Sequence, residues 1–425
     1  MSIKELYEIY REHPAVQTDT RKLEKGDMFF ALKGPSFNGN AFAEAALKAG
    51  ASYAVVDETP PHANSRIIVV EDVLSTLQAL ALYHRQQFNI PFIAITGSNG
   101  KTTTKELVHT VLASTYKTYT TQGNLNNHIG IPLTILRVRK DAEMAIIEMG
   151  ANHMKEIEGY CRYTQPTHGI ITNCGKAHLE GFGSEENIRK AKGELYDYLR
   201  THNGTAFVMW DYDYLREMSH DISTVITYGT QDADYTGLAL QQSAFLTVEM
   251  TKGAHIPLVH TQLVGAYNLP NVLAAVTVGR YFNVSEEAVK SSIENYAPGN
   301  SRSQLVEKEG NHIILDAYNA NPSSMKVAIE NLASINAPEK VLILGAMAEL
   351  GSDSLQEHQA IVDLIQQYQW KEVALVGGDF QKLSHPYQKL ANAVDAAEWF
   401  KQQHFNKAHI LIKGSRSMQM EKVLG

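Results

Sequence analysis

The chain has 425 residues, with 46 acidic against 38 basic side chains and a formal charge of −8. That balance argues against a general polyanion-binding surface, so nucleic acid is not an expected partner. No apolar run reaches the roughly 18 residues a membrane span requires, and the amino terminus reads as an amphipathic helix rather than a leader, so the cytoplasm is the expected compartment.

The length suits roughly three domains, each able to bury its own core. Residues 1–85 alternate short strands at 28–32, 53–56 and 67–70 with helical patterns and carry no phosphate loop, which predicts a small α/β unit. A second unit, 86–300, opens with an apolar strand at 92–96 and adds buried strands at 144–149 and 169–172, separated by helical stretches: a parallel sheet with crossovers. Between about 205 and 264 the pattern becomes alternating and turn-rich, as in Phe245-Leu-Thr-Val-Glu-Met, predicting an antiparallel patch, and helices resume at Asn268. The third unit, 301–425, is expected to place strands at 312–316, 340–344, 372–376 and 409–413 and helices at 323–333 and 355–368, an open Rossmann-like sheet. The fold class is α/β in three domains, with ligands expected in the clefts between them. Cys161 and Cys174 lack metal-knuckle spacing and cannot form a disulfide framework; both are expected as small buried hydrophobes.

The strand at 92–96 runs straight into Gly97-Ser-Asn-Gly-Lys-Thr-Thr103. Gly97 and Gly100 let the backbone around Ser98 and Asn99 turn its N–H groups inward, Lys101 can reach terminal phosphates, and Thr102 can hold magnesium. The strict P-loop pattern fails, because its first glycine would fall on Ile95, and a shorter T-G-x-x-G-K-T-T stands instead. Leu107, Val108, Val111 and Leu112 then form an apolar stripe at helical spacing. Strand, loop and helix together favour a polyphosphate cradle over an ordinary turn with a surface lysine.

Glu148 lies in the strand at 144–149 and His178 follows the strand at 169–172, so a doubly wound sheet brings both to the carboxyl edge beside the phosphate loop. Either alone reads as an ordinary polar residue; together they read as a site, with Glu148 suited to magnesium. Lys192 shares a helix face with Ile188, Leu195 and Leu199. Two readings stand for it: an edge lysine whose ammonium snorkels to water, or a buried amine, its pKa depressed, that carbon dioxide can carbamylate into an anionic oxygen ligand.

These residues fall in an ordered series: Thr18-Asp-Thr-Arg21, Gly26-Asp-Met-Phe-Phe-Ala-Leu-Lys-Gly34, Thr96 to Glu106, Gly123-Asn-Leu-Asn-Asn127, Glu148-Met-Gly-Ala-Asn152 and Thr172-Asn-Cys-Gly-Lys-Ala-His178. Ala191-Lys-Gly-Glu-Leu195, Tyr267-Asn-Leu-Pro-Asn271, Arg302, Asp316-Ala-Tyr-Asn-Ala-Asn-Pro322, Ala348-Glu-Leu-Gly351 and Lys413-Gly-Ser-Arg416 complete it. Along nearly its whole length the chain resembles the ATP-dependent Mur ligases of peptidoglycan synthesis. The resemblance implies a first domain that holds a UDP-sugar, a central domain that binds ATP and two magnesium ions, and a third that brings the incoming amine. It implies Lys101 on phosphate, Thr102 and Glu148 on one magnesium, and His178 with a carbamylated Lys192 on a second. Asn268 and Asn271 are implied near adenine, with Arg302 and Asp316 reaching over to phosphates and ribose. Substrate contacts are implied for Asp19, Thr20, Arg21, Lys33, Asn126, Asn127, Asn319, Asn321 and Lys413.

The stretch from Asp316 to Pro322, without an Asp-Asn-Pro-Arg signature elsewhere, favours the family member that joins D-alanyl-D-alanine to UDP-N-acetylmuramoyl-tripeptide, working as a monomer. The alternatives are the ligase adding the third residue and a folylpolyglutamate synthase-like ligase. Two places depart from the family's commonest form: Ala346 where Asp is usual, and Asn38-Gly-Asn40 where Asp-Gly-His is frequent.

Overall fold

The computed structural model describes residues 1–240, 245–299 and 301–425. The chain opens with the helix Ile3–Glu12, started by a reciprocal capping box in which Ser2 accepts from the Glu5 N–H and Glu5 accepts from the Ser2 N–H. Its Leu6, Tyr7 and Tyr10 turn inward. A small all-parallel sheet follows, ordered Val16–Gln17, Met28–Phe30, Tyr53–Val56 and Ile67–Val69. The short strand Val16–Gln17 and the hairpin Lys33–Gly34/Phe37–Asn38 were not expected, because two-residue strands carry no periodicity to read. One face of this sheet packs under Ala43, Ala46 and Leu47, and the other joins a core continuous with the middle of the molecule.

The central sheet has nine strands among the described residues. In spatial order they are Leu258–Val264, Phe245–Lys252, Tyr235–Leu240, Thr224–Gly229, Thr205–Met209, His168–Ile171, Phe92–Thr96, Met144–Glu148 and Thr118–Thr120. Phe92–Thr96 and Met144–Glu148 are buried at every position, as strands covered by helices on both faces must be. Antiparallel pairing begins only at Tyr235–Leu240; Thr205–Met209 and Thr224–Gly229 pair in parallel. The antiparallel patch is thus narrower than the expected 205–264 and continues the same sheet: Thr205–Met209 is buried throughout and Thr224–Gly229 only in part, and neither pattern carries the direction of its strand. Chain order reverses around Phe92–Thr96, which has Met144–Glu148 on one side and His168–Ile171 on the other. The carboxyl ends of these three strands therefore open onto one crevice.

The third sheet is ordered Gln304–Lys308, Asn311–Asp316, His409–Lys413, Lys340–Gly345, Glu372–Val376 and Gln388–Leu390, parallel except for its first strand. The expected helices appear as Pro322–Ser334 and Ser354–Ile365. Cys161 and Cys174 are free and buried. Among the described residues no helix is long and apolar enough to cross a membrane.

One buried polar cluster ties the amino-terminal helices to the middle of the molecule. His84, 6% exposed at the end of the helix Val73–Arg85, lies 2.8 Å from the Val138 carbonyl through Nε2 and 3.0 Å from the Tyr7 hydroxyl through Nδ1. A neutral ring with its proton on Nε2 satisfies both, donating to the carbonyl and accepting from the phenol. Burial holds the imidazole pKa down at about 4. The unfolded chain, with a pKa near 6.5, therefore binds the proton first, so His84's contribution is intact above that pH and is lost as pH falls towards 4. Between pH 7 and 5 this removes ~2 kcal/mol. Urea midpoints measured across that range should fall in the wild type and fall less steeply in His84→Gln; equal slopes would assign the acid sensitivity elsewhere.

Candidate active site

A cleft of about 990 Å³ lies over the carboxyl edge of the central sheet, with the third domain forming its far wall. Its floor is the loop after Phe92–Thr96. Gly97 has φ +141°, and a β-carbon there would stand 2.0 Å from the Thr172 hydroxyl oxygen; Gly100, at φ +78°, caps the helix Lys101–Ala113 and would meet Asn271 Oδ1 at 2.7 Å. Both glycines are thus required by backbone conformation and by close neighbours. The loop is clamped by the segment after His168–Ile171. Ser98 N–H donates to the Asn173 carbonyl (2.8 Å) and Asn99 N–H to Asn173 Oδ1 (3.0 Å). The Thr172 hydroxyl and Asn173 amide both donate to the Asn99 carbonyl, at 2.6 and 3.0 Å.

Lys101 Nζ donates to the carbonyls of Gly97 (2.7 Å) and Ser98 (3.0 Å), which holds the ammonium over its own loop. Burial lowers its pKa to about 8, partly opposed by Glu148 and reinforced by Arg302. Thr102 and Thr103 lie at the helix's amino end and line the cleft. Glu148 is 2% exposed; one carboxylate oxygen accepts from Asn126 Nδ2 (2.7 Å), and the other is buried without a hydrogen-bond partner among the described residues. Such an oxygen is costly unless a cation meets it. Among the described residues no three His, Cys, Asp or Glu side chains are grouped to hold a metal. A cation here would draw on Glu148, the Thr102 hydroxyl and oxygens of its ligands, a donor set that fits magnesium, which keeps waters and phosphate oxygens in its shell.

Lys192 settles one open reading. It is 1% exposed, its ammonium donates to the Ala151 carbonyl (3.1 Å) and sits 5.1 Å from the centre of the Phe182 ring, so it does not snorkel. Burial first, and then the neighbouring Lys101, depress its pKa to about 7. It stands just behind the cleft wall at Ala151, not on its surface. His178, in the left-handed conformation (φ 55°), has Nδ1 2.5 Å from Glu349 Oε2 of the third domain.

The third domain supplies Arg302, whose guanidinium lies 3.4 Å from the Tyr318 ring centre, and Asp316. Asp316 accepts from Ser303 N–H (3.2 Å) and from Lys413 (2.6 Å), and Lys413 also donates to the Asn319 carbonyl (3.1 Å). Lys413, expected at the substrate, thus lines the cleft while its ammonium holds Asp316. Asn321 Nδ2 donates to Asn99 Oδ1 (2.8 Å), a direct bond between the third domain and the loop. Asn268 and Asn271 line the cleft, but their side chains are joined to each other (2.8 Å), to the Val264 carbonyl and to Thr104. Asn127 lines it too, its Oδ1 accepting from Ile129 and Gly130 N–H groups.

Asp19, Thr20, Arg21 and Lys33 lie on the amino-terminal domain and do not line this cleft. Asp19 grips Arg21 (2.8 Å), and Lys33 bridges Asp57 (2.9 Å) and Glu58 (3.0 Å). Asn38 and Asn40 donate to those same two carboxylates, Glu58 and Asp57. Ala346 is buried and off the cleft surface, while Ala348 and Glu349 reach it. Sequence reasoning passed over Arg189, Tyr212 and Tyr214, which also line the cleft, Arg189 lying 5.0 Å from the Tyr214 ring centre. Two signals pointed there: Arg189 is one helical turn before Lys192, and both tyrosines follow the carboxyl end of Thr205–Met209.

A phosphate loop between two parallel strand ends, faced by cations from a separate domain, defines a nucleotide-dependent enzyme whose cleft is completed by two domains. The chain belongs to the Mur ligase family: the family's catalytic-domain model matches residues 14–85, its middle domain 95–279, and its glutamate ligase domain 301–417. The UDP-N-acetylmuramoyl-tripeptide–D-alanyl-D-alanine ligase of Bacillus subtilis (strain 168) is 35% identical, over 96% of this chain and 92% of that protein. Among solved structures, MurF from Acinetobacter baumannii matches with a TM-score of 0.89 and 28% identity, covering 100% of this chain and 97% of that one. MurF from Thermotoga maritima in complex with ADP matches with a TM-score of 0.87 and 26% identity, covering 96% of each chain.

Substituting Gly97→Ala tests the clamp. With a β-carbon 2.0 Å from Thr172 Oγ1, the loop must shift, and calorimetry should show ADP affinity reduced by about tenfold or more with helix content by circular dichroism unchanged. Wild-type affinity in this variant would mean that the loop accommodates the methyl elsewhere.

Proposed function

We propose that the chain is an ADP-forming ligase that joins D-alanyl-D-alanine to UDP-N-acetylmuramoyl-tripeptide. The observation that carries this reading is the convergence of the loop cation Lys101, the carboxylate Glu148 and the third domain's Arg302 and Asp316 on one cleft. A carboxylate is a poor acyl donor, because its charge repels nucleophiles and oxide does not leave. Transfer of the terminal phosphoryl group of ATP to that oxygen makes an acyl phosphate. The free amine then attacks the carbonyl carbon and phosphate departs, leaving an amide, ADP and phosphate.

Lys101 and Arg302 face that transfer from opposite domains and offset the charge of the anions brought together between them. Backbone N–H groups at the start of Lys101–Ala113 add the helix's positive end. Bound magnesium would supply further charge neutralisation, held by Thr102 and Glu148. Asp316, fixed by Lys413 and Ser303, keeps lone pairs for ribose hydroxyls, and Asn319 and Asn321 are proposed for the incoming dipeptide. Asp19, Thr20, Arg21 and Lys33 are proposed for the UDP end, and Asn126 and Asn127 for the muramoyl side. We take 1–85, 86–300 and 301–425 as the domains, and the enzyme as a cytoplasmic monomer.

The deciding assay supplies ATP and UDP-N-acetylmuramoyl-tripeptide with either D-alanyl-D-alanine or a single amino acid. Phosphate release and a pentapeptide product with the dipeptide alone are expected. Release only with the single amino acid would assign the chain to another ligase of the family, and release without any amine would make it a hydrolase.

Lys192 is proposed as a carbamate. A lysine with pKa near 7 is substantially neutral at physiological pH, as reaction with carbon dioxide requires, and its position behind Ala151 leaves the extra atoms to reach the cleft. Lys192→Ala should lose activity by about a hundredfold or more, with partial recovery in formate or acetate, because the missing group is an oxygen donor. Absence of one carbon dioxide of added mass on Lys192 in an active preparation would overturn the proposal.

A further inference from the structure

The segment that clamps the phosphate loop also grips the third domain. Lys176, two residues before His178, places Nζ 2.7 Å from Glu357 Oε1 on the helix Ser354–Ile365. Its backbone N–H donates to Ser323 Oγ (2.8 Å) in the first turn of Pro322–Ser334. Glu357 is 8% exposed, so its carboxylate is largely withdrawn from water at this contact. The other acidic neighbour of Lys176 is Glu185 of the central domain, farther away at 3.7 Å. One ammonium therefore has a close partner across the domain interface and a more distant partner within its own domain.

We infer that the Lys176–Glu357 pair is a clasp that seats the third domain on the clamping segment and so positions Arg302, Asp316 and Asn319 over nucleotide held at Lys101. The pair exists only when the domains are docked, and docking without it leaves a desolvated carboxylate unpaired. Undocked, Lys176 has Glu185 to turn to and Glu357 regains water. The pair therefore biases a docking equilibrium, and its loss lowers the fraction of molecules competent to bind what the third domain presents. Neither residue lines the cleft, so both are positioning residues. The assignment of Arg302, Asp316 and Asn319 to nucleotide and dipeptide rests on the function proposed above.

The test is a charge reversal in full-length protein. K176E and E357K should each raise KM for D-alanyl-D-alanine about three- to tenfold, with a smaller change in kcat and an increased radius of gyration by small-angle scattering. The double variant K176E/E357K should recover most of both. Singles that match the wild type in KM and scattering, or a double as impaired as the worse single, would overturn the clasp. If a reversal variant fails to fold, as thermal melts would show, K176M and E357Q remove the charge without opposing it, and the same readouts apply. Should the wild type not ligate the dipeptide, the proposed function fails, and scattering alone decides the clasp: expansion in the singles with recovery in the double supports it, and four equal curves overturn it.

Discussion

The phosphate loop does not hold its own shape. Its short span, with glycines at Gly97 and Gly100, leaves it two residues poorer than the usual P-loop, and the missing support comes from the next parallel strand. Thr172 and Asn173 take up the Asn99 carbonyl and the Ser98 and Asn99 N–H groups, and the Ser98 hydroxyl donates to the Gly175 carbonyl. Gly97 has no side chain because Thr172 occupies that space. From this clamp the rest of the site extends outward. The same segment continues through Lys176 to the third domain and through His178 to Glu349, while Thr104, one turn into the following helix, is bonded to Asn271 at the start of Leu269–Tyr281. A small movement of 172–178 is therefore felt by the loop, by the third domain and by the His178 imidazole together.

Charge is the second constraint. Burial depresses the pKa of both Lys101 and Lys192; Lys101 further disfavours the charge on Lys192, and Arg302 further disfavours that on Lys101. Near them Glu148 holds a carboxylate oxygen with no hydrogen-bond partner among the described residues. A fold selected for stability alone would replace such groups with apolar side chains. Their retention at one strand edge is intelligible if the balancing charges are brought by substrate, so that groups awkward in the free protein become paired when anions and a divalent cation enter. The depressed lysine pKa values would then serve the proposed chemistry in two ways: Lys101 gains a counter-charge when phosphate arrives, and the Lys192 amine is available for the proposed carbamylation.

What could be read from the residues follows from how locally each feature is encoded. The strand at 92–96, the helix after it and the stripe of Leu107, Val108, Val111 and Leu112 are local patterns, and the structure places them where the pattern does. Parallel pairing of Thr205–Met209 and Thr224–Gly229 was not legible because an apolar pattern tells burial, not strand direction. For Lys192 the helical face was legible, but whether its head reaches water depends on Phe182 and Ala151, which come from other elements. Arg189, Tyr212 and Tyr214 were passed over for the same reason: they become neighbours only when the carboxyl edge is assembled. The pairing of Lys413 with Asp316 is a register fact, since Asp316 and Lys413 are direct partners on adjacent parallel strands, and register between strands nearly a hundred residues apart leaves no mark on either segment.

Dividing the cations between two domains has a consequence for the proposed chemistry. An acyl phosphate is open to water as well as to an amine, so a site complete in the central domain alone would hydrolyse ATP whenever tripeptide was bound. Here Arg302 and Asp316 are on the far wall, and the wall that carries them also carries Asn319 and Asn321, proposed for the amine. In the proposed reaction the charge stabilisation for phosphoryl transfer and the nucleophile that consumes its product would thus come from one domain, and a wall that closed as they arrived would exclude water. Coupling of this kind requires the docked and open states to differ by little, because a wall locked shut would trap ADP. Asn99–Asn321, His178–Glu349 and Lys176–Glu357 would suit that need: they are polar contacts whose groups can be hydrated in an open state, so each can favour docking without locking it.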